Sequence, residues 1–569
     1  MAKKDLTSSE DILTGASLSD EKDSSKKSKE KKPKKARKGI SANAKKVIKS
    51  VVAVVIVVAL LVTYVATGTV RKGFIHSTLQ WTTGITAVTV KNEDGDKINI
   101  PVSTYNYYYA MLYNNLQNTQ STYKQYGLDL DSVKLNVDFD KKLSEQTTTD
   151  DDGNVITWAE YMQNTVLDSI KSTYMYYNEA VKANNGEEPE ITDDQKTELD
   201  DTISKYKETA NKYGYTVSGY LVKAMGKGVT ESVYRREATR AYIAQNYQSS
   251  LSTDVEAREY TADDINKYKD EHLDELQSVS LRIFEADSED NAKEFKSKLN
   301  ADGSNFSQLC AEYSTSDFDK SFYTDDAAST YLYATKATLK NGGFAVATAE
   351  DHDHSDGSSH SDDEEDSYPG LDWIFSADRK AGDSYQYSTS VVYVIAPATL
   401  SDVKTINVRH ILVSPVDTSD SSASAQNATD EEWATALQTA EDLLAQFNSG
   451  DKTEDSFAKL ATENSADTGS ASNGGLYEDV YPGQMVSTFN TWCFENRSAG
   501  DTAIVKSQYG YHIMYFSGAN DETAWEYNAK QALTAEDSKT ESEKLDEAYS
   551  VKLNWFGSRY IEKDVDIDS

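Results

Sequence analysis

The sequence predicts an α+β protein: a small βα domain, a degenerate copy of it, a helical domain ahead of both, and one membrane-spanning helix near the amino terminus. Three observations carry this. Short β-branched runs such as Asn407-Val408-Arg409-His410-Ile411-Leu412-Val413 and Tyr509-Gly510-Tyr511-His512-Ile513-Met514-Tyr515-Phe516 bracket a helix-like stretch within one segment. From Tyr105 to about Asn246, apolar and aromatic residues recur at three- and four-residue spacing. Val47 to Thr67 is mostly Val, Ala, Ile and Leu.

At 1.5 Å rise per residue, the Val47–Thr67 run matches a bilayer core of about 30 Å. A cleaved signal peptide would have a shorter basic lead and a shorter apolar core, so a retained signal anchor over 47–67 is favoured. No cysteine lies near the run, which excludes a lipid-modified cysteine as the anchor. Residues 1–46 hold a dense lysine block (Lys31, Lys32, Lys34, Lys35, Arg37, Lys38, Lys45, Lys46), and only Arg71 and Lys72 follow the span. The positive-inside rule then places the amino terminus in the cytoplasm and the chain after about residue 68 outside the cell membrane. The block reads as a disordered topology signal and a contact for anionic lipid, not a nucleic-acid tail.

Charge is strongly split. Residues 1–49 carry 15 Lys and Arg against 7 Asp and Glu, a net of +8, so the remainder holds −44 within the whole-chain −36. So acidic a surface repels nucleic acid. Cys310 and Cys493 are the only cysteines and lie in separate segments, so no disulfide framework is expected.

Residues 68–276 begin with a strand–turn–strand signal, Ile85–Val90 and Lys97–Val102 around Glu93-Asp94-Gly95-Asp96, and continue as helices. The chain holds 37 tyrosines, many in this region. They fit either the buried faces of the helices or an amphipathic cradle for unfolded chain. Residues 520–569 read as a helical segment, roughly Thr523 to Phe556.

The segment 401–519 carries the chemistry. In order it holds the strand of His410, Phe457-Ala458-Lys459-Leu460-Ala461, Asn464-Ser465-Ala466-Asp467, Asn473-Gly474-Gly475-Leu476, Gly483-Gln484-Met485-Val486-Ser487-Thr488-Phe489 and the strand of His512. Together these resemble a parvulin-type (PpiC) peptidyl-prolyl isomerase domain over roughly residues 404–519. The hairpin and helices ahead of it are similar, in pattern more than in motif, to the chaperone part of exported foldases of the PrsA–SurA type. In such foldases the carboxyl-terminal segment packs back on the chaperone part.

The resemblance implies roles for individual residues. Leu476, Met485 and Phe489 form the proline pocket, Gln484 lines the groove, and Phe494 completes the apolar wall. His410 and His512 are the paired histidines at the floor of the site. Asp467 falls where family members carry Cys or Asp facing the twisting bond, and the hydroxyls of Ser507 and Tyr509 complete the network. The family usually continues Gly-Gly-x-Leu-Gly, whereas Gly474-Gly475-Leu476-Tyr477 is read as lacking both the spacer and the final Gly. Rotation about an X–Pro bond needs neither metal nor cofactor, and none is expected. A Ser-His-Asp hydrolase is disfavoured because no G-x-S-x-G elbow occurs. The loop from Ser414 to Glu432 has acidic residues and no Lys or Arg. Phosphate recognition needs such cations, so phosphoserine-proline is not the expected substrate.

Residues 277–400 read as the degenerate copy. Phe306-Ser307-Gln308-Leu309 parallels Phe457-Ala458-Lys459-Leu460, and Trp373-Ile374-Phe375 parallels Trp492-Cys493-Phe494. Leu281 is expected where His410 would be, and Val392 offers no imidazole on the last strand. An insert at 350–366 carries His352, His354 and His360 among acidic and serine residues; without apolar anchors it reads as a solvated loop, not a metal site. The expected function is a foldase acting on newly exported, unfolded chains with X–Pro bonds. The alternative is a non-catalytic holdase or assembly scaffold whose parvulin-like units only bind peptide.

Overall fold

The structure, a computed structural model, describes residues 84–563 except 126–129, 131–132, 134, 151–152, 349–366 and 419–422. The expected anchor at 47–67, the lysine tail at 1–46 and the histidine-bearing insert at 350–366 lie outside the described residues. Among the described residues no helix is long and apolar enough to cross a membrane.

The hairpin expected after residue 84 forms as β1 (Thr86–Asn92) and β2 (Lys97–Pro101), turning at Gly95 with φ 89°. Helix α1 (Val102–Gln125) follows, then the short strands β3 (Thr147–Thr149) and β4 (Val155–Thr157). Next come α2 (Trp158–Ala183), α3 (Asp193–Lys212), α4 (Val217–Met225) and α5 (Glu231–Glu256), then α6 (Ala262–Glu271) and α7 (Leu273–Leu276). Thr157, Thr192, Thr216, Thr230 and Thr261 each accept a backbone N–H at the start of a helix, satisfying donors the helix leaves free.

Tyr105, Tyr107, Tyr108, Tyr109, Tyr174 and Tyr234 are buried in one core with Trp158, Met162 and Ile170. For these rings the core reading holds. The polar tip of Tyr174 donates to Glu237, a fully buried carboxylate that also accepts from Thr104 and Arg236. Pairing of that kind is what makes a buried charge tolerable.

Two sheets then repeat one topology. The first unit runs β5 (Ser278–Glu285), α8 (Glu289–Lys298), α9 (Phe306–Tyr313), α10 (Asp317–Phe322), β6 (Thr330–Ala334), α11 (Lys336–Asn341), α12 (Pro369–Phe375), β7 (Ser384–Tyr387) and β8 (Ser390–Thr399). The second runs β9 (Lys404–Val413), α13 (Asp430–Ser449), α14 (Glu454–Asn464), β10 (Leu476–Val480), α15 (Ser487–Phe494), β11 (Thr502–Ser507) and β12 (Gly510–Thr523). Their antiparallel orders are β6-β5-β8-β7 and β10-β9-β12-β11, so in each unit the spatial order is second, first, fourth and third strand.

Strand alternation divides the second unit. Ile411, Val413, Ile513 and Tyr515 pack on α13 and α14, whereas Ile406, Val408, Met514 and Phe516 pack on α15. His410 belongs to the α15 face.

After β12 the chain forms α16 (Ala524–Ala548), where Ala529 packs with Ile265, Tyr268 and Leu276. The expected helix to Phe556 stops early. Tyr549–Leu553 is a strand, β13, completing the sheet β13-β1-β2 with Val551 opposite Val90. The alternation in Tyr-Ser-Val-Lys-Leu suits a strand, and only the partner 460 residues earlier reveals it.

Candidate active site

Central strands β9 and β12 carry the two histidines on one face, and their register sets the geometry. His410 pairs with Met514 and His512 with Leu412, so the imidazoles sit diagonally across the ladder. Their Nδ1 atoms are 3.0 Å apart. Both rings are buried, and each stands nearly perpendicular to the Phe489 ring at 5.4 Å between centroids.

The network extends from both ends of the pair. His410 Nε2 lies 2.8 Å from Asp467 Oδ2 and 3.2 Å from Ser470 Oγ. His512 Nε2 lies 2.7 Å from Ser507 Oγ, which also accepts the Tyr509 backbone N–H. Asp467 accepts further bonds from Ser470 Oγ, Tyr477 OH and the Gly469 N–H. The bond from His410, with those from Ser470 and Tyr477, outweighs partial burial and holds the Asp467 carboxyl well below the usual carboxylate range. Burial, with the neighbouring His410 ring, pushes His512 down to about 3.

An ionised Asp467 only accepts, so the His410 Nε2 that faces it carries a proton. The contacts from His410 Nδ1 to His512 Nδ1 and from His512 Nε2 to Ser507 Oγ complete a continuous hydrogen-bonded chain from Asp467 to Ser507.

The Gly-Gly pair makes this possible. Gly474 and Gly475 adopt φ of 67° and 71°. A Cβ on Gly475 would stand 2.1 Å from the carbonyl oxygen of His410, while the His410 N–H donates to the Gly475 carbonyl. Only glycine permits both that backbone and that approach.

Two sequence expectations are corrected here. Leu476 pairs with Arg409, on the α14 face of the sheet, and so points away from the histidines. Tyr477 pairs with Val408 on the site face, packs with the cluster of Phe489 and Met485, and bonds Asp467. Leu476 is itself the spacer of Gly-Gly-x-Leu, and Tyr477 stands in the leucine's place; in a strand, one residue of misreading reverses the face. Tyr509 is 53% exposed and contributes its backbone N–H, not its hydroxyl, to the network. Its ring lines an open cleft of about 420 Å³ with Leu412, Ser414, Val416 and Gln508, in which no Lys or Arg takes part.

The remaining residues fall around α15. Phe489 and Phe494 are buried, and Met485 is half-buried against the same cluster. Gln484 is exposed and accepts from the Tyr481 N–H, which folds the loop ahead of α15. Sequence reasoning missed Ser470 and Tyr477. Tyr477 was legible from the family spacing; Ser470 had no signal beyond its nearness to Asp467.

In the first unit the counterparts differ from those expected. Gly382 N–H donates to Val394 O as Gly500 N–H does to Phe516 O, so Val394 matches Phe516. Counting back, Ser390 matches His512, and through the cross-strand pairs Ile283, not Leu281, matches His410. Ser390 instead donates to Glu285 at 2.5 Å. By the same count from Trp373 and Trp492, Gly370 stands where Phe489 does. The main chain of Val346 fills that space, its oxygen 2.3 Å from where a Gly370 Cβ would be.

The model of the PPIC-type PPIase domain family matches residues 396–518. Foldase protein PrsA 1 of Listeria innocua is 39% identical over 77 residues, 13% of this chain and 25% of that protein. Foldase protein PrsA of Staphylococcus epidermidis is 30% identical over 115 residues, 20% of this chain and 35% of that protein. The chain thus spans about a quarter to a third of the curated relatives it matches. Among solved structures, a peptidylprolyl isomerase (PrsA) from Bacillus anthracis matches with 23% identity over 26% of this chain and 58% of that one, at a TM-score of 0.17 that bears on neither fold nor function. The matched residues run from the end of β8 through β12, and the site built there has the paired histidines, the ionised partner and the apolar helix: residues 396–518 are a PPIC-type, parvulin-type peptidyl-prolyl isomerase domain.

Proposed function

We propose that the protein is a membrane-anchored, extracytoplasmic foldase that isomerises X–Pro bonds in exported, unfolded chains. The observation that carries the reaction is the continuous hydrogen-bond chain from Ser507 through both histidines to Asp467, floored by Phe489.

The barrier to rotation, about 18–20 kcal/mol, comes from amide resonance. That resonance places partial negative charge on the carbonyl oxygen. A fixed negative charge at Asp467 beside that oxygen disfavours the charge-separated form and so weakens the double-bond character. Met485 and Phe489 hold the proline ring in an apolar surround, where such electrostatics are strong. The histidines keep Asp467 ionised and oriented and act as positioning residues. The neutral cleft beside Tyr509 suits uncharged residues ahead of the proline. The first unit, with Ile283 and Ser390 in the histidines' places and its pocket filled, is proposed to be catalytically silent.

The test is chymotrypsin-coupled isomerisation of a short Ala-Pro peptide by the whole chain. Acceleration that disappears in Asp467→Ala is expected; a folded protein no faster than buffer leaves the holdase reading in its place. For topology, protease added to intact cells should remove the region after about residue 68, and recovery of the full-length chain would refute the outward orientation.

A further inference from the structure

All eight residues of α15 are buried, yet only one side of the helix meets its own sheet. Phe489, Trp492 and Cys493 pack on β9 and β12. The opposite side is polar and meets the first unit. Ser487 Oγ donates to the Ala328 carbonyl at 2.9 Å, Thr491 Oγ1 to the Thr330 carbonyl at 3.3 Å, and Asn490 Nδ2 to the Leu332 carbonyl at 3.5 Å.

Thr330 and Leu332 are alternate residues of β6, the edge strand of its sheet, and Ala328 lies in the short 3-10 turn, Asp326–Ser329, that leads into it. Helix α15 therefore covers that edge and the turn before it. Asn490 does double duty, because its Oδ1 accepts the Gly483 N–H at 2.7 Å and so ties down the loop that carries Gln484 and Met485. Gly483 itself lies against Thr338 of the first unit: a Cβ there would stand 2.4 Å from Thr338 Oγ1. A second contact braces the two units elsewhere. Phe318 of α10 stacks on Trp433 of α13 at 5.6 Å, with Lys506 Nζ 4.6 Å from the Trp433 ring.

We propose that the first unit is the platform that positions the proline-binding helix of the second, with Ser487, Asn490 and Thr491 as positioning residues held by β6 and the turn that leads into it. This rests on the isomerase reading above. A helix whose outer side is polar would, without β6, turn those groups to water and lose the constraint that fixes Met485 over Phe489. Loss of a hydrogen bond or two of this kind corresponds to roughly a three- to tenfold effect.

The experiment measures kcat and KM for Ala-Pro peptide isomerisation with the whole chain. In Ser487→Ala/Thr491→Val the KM should rise about three- to tenfold with kcat little changed, and Ser487→Thr/Thr491→Ser, which keeps both hydroxyls, should restore it. A merely structural loss would lower the active fraction and leave KM alone. Phe318→Ala, which loosens docking from the first unit without touching α15, should shift KM the same way and decides the matter if the double variant does not fold. An unmoved KM in the folded variants overturns the platform alone. No acceleration by the unmodified chain overturns both the isomerase reading and the platform.

Discussion

His410 and His512 face one another through their Nδ1 atoms at 3.0 Å, so one ring must donate where the other accepts and the two tautomers are coupled. It also leaves each ring dependent on the other, because both are buried. Replacing either histidine by Ala strands a buried polar atom on its partner, at a cost of about 1–3 kcal/mol. Each single variant is therefore expected to lose melting temperature together with turnover. Asn or Gln at either position, able to donate or accept, should recover part of both.

Protonation gives this pair a pH signature. His512 is depressed to about 3 in the fold against about 6.5 in the unfolded chain. Protons are then bound more readily by the unfolded state between those values, so stability is fully present above about pH 6.5 and falls as pH drops towards 3. Asp467, also depressed, adds to the loss below about pH 4. Thermal unfolding from pH 8 to 4 should show a flat upper limb and a falling acid limb. In His512→Asn the fall between pH 6.5 and 4 should be shallower; an unchanged limb would remove His512 from the account.

The apolar wall should divide by burial. Met485 is half-buried and Phe489 is 2% exposed, in contact with both imidazoles. Met485→Ala is expected to raise KM with little change in melting temperature. Phe489→Ala should raise KM and also destabilise the domain by about 3–5 kcal/mol. Kinetics and calorimetry on the same preparations would distinguish the two.

Tyr477 and Leu476 provide a test of face. Tyr477→Phe removes only the hydroxyl that donates to Asp467, and turnover should fall several-fold with KM nearly constant. Leu476→Val, on the other face of β10, should have the smaller effect of the two. The reverse ranking would restore Leu476 to the proline pocket.

The first unit should not catalyse. With Ser390 and Glu285 in place of an imidazole pair and Val346 filling the pocket, a chain carrying Asp467→Ala and His512→Ala in the second unit should show no residual isomerisation above buffer. Residual activity comparable to the unmodified chain would assign chemistry to the first unit.

Much of this protein was legible without coordinates. Hydrophobic period distinguished the helical region from the two βα units, and the resemblance to the parvulin family named His410, Asp467, His512, Met485 and Phe489 as one candidate site, which the fold brings together. Tertiary structure decided what depends on pairing between distant segments. Register placed Tyr477, and not Leu476, beside Asp467, since the two differ by one residue and a strand reverses face at every step. Register also identified Ile283 and Ser390 as the counterparts of the histidines. The strand Tyr549–Leu553 exists because β1 offers it an edge, and the polar side of α15 has meaning only against the carbonyls of β6 and the turn before it. Local sequence encodes propensity and pattern, whereas hydrogen-bond partners hundreds of residues away are chosen by the assembled fold.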